Sequence, residues 1–99
     1  MRRATTPLHK FTLPDDPSNY EKILITYKQN GSIVLEKTKD DLTFDGTTAS
    51  VMLTQEETNL FDSRYGVQVQ VRVLTISGFA YTSQIFTFKV EEVLDGRIL

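Results

Sequence analysis

The sequence predicts an all-β fold, an antiparallel sandwich or partly open barrel of about seven short strands with one short helical connector. Three observations carry this. Val67-Gln68-Val69-Gln70-Val71-Arg72-Val73 alternates valine with polar residues, the period of a strand that turns one face to a core. Asn30-Gly31, Asp45-Gly46 and Ser77-Gly78 stand between apolar stretches, where hairpins turn. The 99 residues contain no internal repeat, low-complexity stretch or interior linker. They therefore read as a single domain, 1–99, with an N-terminal arm over 1–9 and a C-terminal tail over 91–99.

In chain order, the first strand is expected over Lys10–Leu13, ended by Pro14 and Pro17. Lys22–Lys28 and Ser32–Thr38 follow as a hairpin. A two-residue loop there sets Ile25 against Glu36, whereas a three-residue Gln29-Asn30-Gly31 loop pairs Tyr27 with Ile33 and Ile25 with Leu35. The second is expected, with Gly31 left-handed. Leu42–Phe44 and Thr47–Leu53 form the next hairpin. A two-residue Asp45-Gly46 loop keeps Leu42, Phe44, Ala49, Val51 and Leu53 on one face.

Thr54-Gln55-Glu56-Glu57 has the capping-box form, in which hydroxyl and carboxylate each satisfy a free backbone N–H of the other residue. A helical connector near residues 55–61 should follow, with Leu60 and Phe61 beneath the sheet. After the valine strand, Phe79–Val90 is the last strand. A two-residue loop at Ser77-Gly78 places Phe86 and Phe88 beside the valines, and a three-residue loop places Phe79, Tyr81 and Ile85 there; the two-residue loop is favoured. Either way large apolar side chains occupy both faces, and one face is left for an arm or a partner.

Composition narrows the chemistry. With 39% hydrophobic and 24% charged residues the chain should fold, and a chain of this size removes roughly 65% of its unfolded surface from water. Eleven basic residues against thirteen acidic ones leave a net charge of -2. The densest basic group is only Arg2, Arg3, His9 and Lys10, so no nucleic-acid partner is expected. The absence of cysteine removes disulfides, thiolate nucleophiles and cysteine-based metal sites. The segment after Met1 lacks the apolar region of a secretory signal and no apolar run would span a bilayer, so synthesis in the cytoplasm and no membrane partner are expected.

The inventory for catalysis is thin. His9 is the only histidine and has no acidic residue at an orienting spacing, so it reads as a surface or interface residue. Asp40, Asp41 and Asp45 match no calcium loop and are explained by turn chemistry. The five glycines are isolated, which leaves no phosphate loop. Asp62-Ser63-Arg64-Tyr65 is similar in position to a tyrosine corner, a sign of sandwich geometry. No catalytic, cofactor or metal residue is assigned, and no enzyme activity is expected.

Three segments carry a family resemblance: Arg3-Ala4-Thr5-Thr6-Pro7 with Phe11-Thr12-Leu13-Pro14, then Val51-Met52-Leu53-Thr54-Gln55-Glu56-Glu57-Thr58, then Val69-Gln70-Val71-Arg72-Val73-Leu74-Thr75. Together they resemble small tail-region proteins encoded by phages and prophages of Gram-positive bacteria. That group is similar in turn to the N-terminal domain of siphophage baseplate upper proteins. The resemblance implies a non-enzymatic virion structural protein made in the host cytoplasm, a tail or baseplate adaptor that binds other tail or baseplate proteins and copies of itself.

The expected interface residues are Phe79, Tyr81 and Ile85 on the two-sided last strand, and Val93, Leu94, Ile98 and Leu99 on the apolar tail. Together with the arm Met1–His9 they suit a ring-like or trimeric assembly by arm exchange. The alternative is a small carbohydrate- or surface-binding sandwich, with sugars stacked on Tyr20, Tyr27, Tyr65 or Tyr81.

Overall fold

The computed structural model describes residues 1–83 and 85–99. Two antiparallel sheets face each other. Strands β1 (Leu8–Thr12), β4 (Thr43–Asp45) and β5 (Thr48–Met52) form a sheet of order β1-β5-β4. In the larger sheet β2 (Tyr20–Gln29) lies between β3 (Ser32–Thr38) and β6 (Val67–Thr75). The far side of β6 carries both β7 (Ala80–Thr82) and β8 (Phe86–Phe88). A one-turn helix, α1 (Gln55–Thr58), links β5 to β6. The sheets do not close into a barrel.

Alternation places the core. Ile23, Ile25 and Tyr27 of β2 and Val67, Val69, Val71 and Val73 of β6 are buried in one core with Ala49 and Val51 of β5, Leu42 and Leu53 just outside the strand ends, and Phe61 and Val90. These are the residues a period of two sends to one face. Phe61 is packed as expected, but Leu60 is 60% exposed. The Thr54/Glu57 capping box forms, with Glu57 N–H donating to Thr54 Oγ1 at 3.1 Å and Thr54 N–H to Glu57 Oε1 at 2.9 Å. Glu57 also meets Lys37 of β3 at 2.6 Å, which fastens α1 to the larger sheet.

All three hairpins differ from the expected pairings, the first and third through a local irregularity. At Asn30-Gly31 the loop has two residues, since Gln29 pairs with Ser32 and both central residues take positive φ, 49° and 80°. That is the type I′ pattern, whose twist suits the strands. An irregularity next to Tyr27 then sets Tyr27 against Leu35 and Ile25 against Lys37, so Ile33 lies opposite Lys28 on the outer face. At the second turn the loop is Gly46-Thr47, with Phe44 opposite Ala49. The slip is two residues along the strand, so the side chains keep their expected faces.

The third turn is a three-residue loop, Ile76-Ser77-Gly78: Gly78 N–H donates to Thr75 O at 3.0 Å and Thr75 N–H to Phe79 O at 2.8 Å. Gly78 takes φ +95°, the left-handed position with which such loops end. Val73 consequently pairs with Tyr81. Farther on, Val69 pairs with Phe86 and Val67 with Phe88, a register one residue out of step with β7. Both alternatives read from the sequence are therefore realised, one in each half of the predicted strand. Ser83 accommodates the step: its N–H donates to Val71 O at 2.8 Å, and its Oγ accepts from Val71 N–H at 3.0 Å. Gln84, inside the predicted strand, lies outside the described residues.

The arm is not a free extension. Leu8 and His9 belong to β1. Met1 packs against the core, and Arg2 bridges to Glu91 beside the bond from Arg3 N–H to Glu91 O at 3.0 Å. Thr58, fully buried, accepts from Thr5 N–H and donates to Thr5 O, which fixes the arm to α1. No helix among the described residues is long and apolar enough to cross a membrane.

Candidate protein-interaction groove

A strand at the margin of a sheet leaves one row of backbone groups without a ladder partner. Two such margins lie on the same side of this sandwich. Among the described residues β1 pairs only with β5, and β7 and β8 pair only with β6. Between them runs a groove of about 670 Å³, floored by Val69, Val71 and Val73. One wall is the continuous run from Leu8 to Pro14, and the other carries Tyr81, Phe86 and Phe88.

The strand pairings fix what faces the groove. Tyr81, Phe86 and Phe88 stand opposite valines of β6, so their rings share the valine face. Tyr81 is 55% and Phe86 43% exposed, although directly paired with core residues, because no strand of the smaller sheet covers them. Leu13 N–H bonds to Thr47 O, and Leu53 N–H to Pro7 O. Alternation between these bonds turns His9 and Phe11 toward β5, so Leu8, Lys10 and Thr12 direct their N–H and C=O groups to the open edge. Lys10 and His9 are the ionisable bases of the lining, and none of the lining residues is acidic.

His9 closes the inner end. Its Nδ1 shares a hydrogen bond of 2.7 Å with the buried Tyr27 hydroxyl, and its ring lies 5.5 Å from that of Phe88. Burial, helped by the positive N-terminal amine, lowers the imidazole pKa. Burial, with the nearby Glu57 carboxylate, raises that of the Tyr27 phenol. The histidine expected at a surface or an interface is thus a packed bridge between β1, β2 and β8 at the end of the groove. Among the described residues there is no group of three or more His, Cys, Asp or Glu side chains that could hold a metal.

Of the seven interface residues expected from sequence, only Tyr81 lines this groove. Phe79, 62% exposed, lies past its end in an open hollow with Tyr20 and Ile76. Ile85 is thrown by the register step to the outer face of the larger sheet, beside Leu24 and Ile33. Val93 is half-buried, while Leu94, Ile98 and Leu99 are exposed. The tail follows α1: Asn59 Nδ2 donates to Gly96 O at 2.8 Å and Leu99 N–H to Gln55 Oε1 at 2.7 Å. The strand expected over Lys10–Leu13 begins two residues earlier, at Leu8, inside the expected arm; the alternation His9, Phe11, Leu13 is the signal that extends it backwards. For sugar stacking, Tyr20 and Tyr27 are buried and have no face to offer, and Tyr65 sits under the Arg64 guanidinium at 5.6 Å.

Compared with family models, curated proteins and solved structures, the chain matches none of them.

Proposed function

We propose that this chain is a non-enzymatic assembly module, an adaptor of a phage tail or baseplate that works through protein contacts along the groove. The observation that carries the reading is the pairing of an apolar, aromatic-walled groove with the edge of β1, which among the described residues has no ladder partner on the groove side. Small-molecule sites fix their ligand with a few convergent polar groups. Here the polar groups at the rim are a row of backbone N–H and C=O, which suits an extended polypeptide that adds main-chain bonds along an edge and seats alternate side chains in the apolar trough. The phage setting rests on the sequence resemblance, and virion association follows from it.

The test is co-purification with the products of neighbouring genes. A tail or baseplate protein should be retained by the wild-type chain and lost with Tyr81→Glu or Phe86→Glu, both at exposed positions that leave the circular dichroism spectrum unchanged. Retention by both variants, or no tail protein encoded nearby, would overturn the reading.

A further inference from the structure

Among the described residues nothing of the chain's own fills the groove, while its C-terminal segment exposes apolar side chains. Leu94 and Leu99 are as open to solvent as in an extended peptide, at 110% and 102%, and Ile98 is 43% exposed. We propose that the segment Val93–Leu99 of a second copy of this chain lies in the groove as an added strand along β1. This rests on the assembly reading and names its first partner.

The pattern of the segment fits a strand. In extended backbone Leu94, Gly96 and Ile98 point one way, and Asp95 and Arg97 the other. Turned with Leu94 and Ile98 toward the valine floor, the segment leaves both charges in water. Gly96 then lies between the two anchors, where a side chain would otherwise meet the aromatic wall. Leu8, Lys10 and Thr12 supply the free ladder groups on β1.

The contacts given up at home are exposed hydrogen bonds through the Asn59 and Gln55 side chains and the partial burial of Val93 and Ile98. The salt bridges Arg2–Glu91 and Arg3–Glu92 sit just before the segment and keep its root attached to its own domain. A reciprocal exchange engages the fifteen groove residues and the seven tail residues of each copy, within the roughly 20–30 residues per side of a standard specific interface. One tail alone falls short of that.

The experiment uses the full chain in light-scattering chromatography, with disulfide trapping made clean by the absence of native cysteine. The wild-type chain should run at twice the monomer mass. Leu94→Asp and Ile98→Asp should weaken self-association at least about 100-fold, since each would bury a charge without a partner. Leu99→Asp, on the solvent side of the added strand, should leave it within about threefold, a difference that general stickiness of the tail would not produce. Mixed Lys10→Cys and Arg97→Cys chains should form a disulfide-linked pair. Self-association that survives Leu94→Asp, or that gives no such cross-link, would overturn the inference and leave the assembly reading standing. A strict monomer would overturn it too, and the co-purification test then decides the assembly reading by itself.

Discussion

Gln29 ends β2 with its amide buried, and both halves of that amide serve one turn. Nε2 donates to Asp62 O at 2.7 Å and Tyr65 O at 3.0 Å, while Oε1 accepts from Asp62 N–H at 2.8 Å. Gln29→Leu should cost about 2–4 kcal/mol, because it strands three backbone groups beside a core that water does not reach. Urea unfolding should show this as a lowered midpoint with an unchanged slope. His9 gives the complementary test in pH. Its pKa is lowered in the folded state, so between the unfolded value near 6.5 and the lower folded value the unfolded chain binds more protons. Stability is therefore full above about pH 6.5 and falls as pH drops through that window. Five lowered carboxylates do not blur it, since all titrate in more acid solution: Glu57, where burial is outweighed by hydrogen bonds from Lys37 and Thr54 and by the Lys37 charge, Asp62, held near 2 by Arg64, and Asp16, Glu92 and Asp95. Since His9 is the only histidine, its imidazole NMR resonance should titrate with a midpoint below 6.5, and His9→Gln should flatten the stability change from pH 7.5 to 5.5.

At the scale of elements, α1 is too short to be stable by helix propensity, and it exists because its ends and one face are held. Thr54→Ala removes the acceptor for Glu57 N–H and should cost about 1 kcal/mol, measured by thermal unfolding. Gly78→Ala should cost a similar ~1 kcal/mol, here from backbone alone, since φ is +95° and open space surrounds the added Cβ. The capping box could be read in advance because its chemistry lies within four consecutive residues. The valine strand was legible for the same reason. The exact registers were not, because two of them turn on a one-residue irregularity that a local pattern does not locate: one beside Tyr27, and one between β7 and β8 where Ser83 bonds Val71 in place of the ladder. The open choice at Ser77-Gly78 was itself the trace of that second step, as each half of the strand obeys a different register. The groove was legible only through Tyr81, because a groove between two sheets is set by which strands end at which margin, and pairing order is not written in a local pattern.

For the whole molecule, the consequence of this topology is a sandwich covered along one side and open along the other. Exposed edges of this kind are usually blunted by charge, proline or bulges. β1 carries a single charged residue, Lys10, and no proline within Leu8–Thr12. On the opposite rim the register step next to Ser83 interrupts the edge, so β1 is the better template of the two. If copies join there, folding and assembly are one equilibrium, and the melting temperature must depend on protein concentration. For a dimer, a tenfold rise in concentration contributes about 0.7 kcal/mol per chain, which for a domain of this size raises Tm by roughly 3–6 °C. Leu94→Asp should abolish that dependence while leaving Tm at the lowest concentration unchanged, because Leu94 touches nothing in its own domain. A charge placed on the groove side, as Tyr81→Glu in the aromatic wall, should do the same through the other partner of the contact. Scanning calorimetry across a hundredfold range of concentration for the three proteins measures it. A slope of zero in the wild-type chain would show that copies of the chain do not join along the open side.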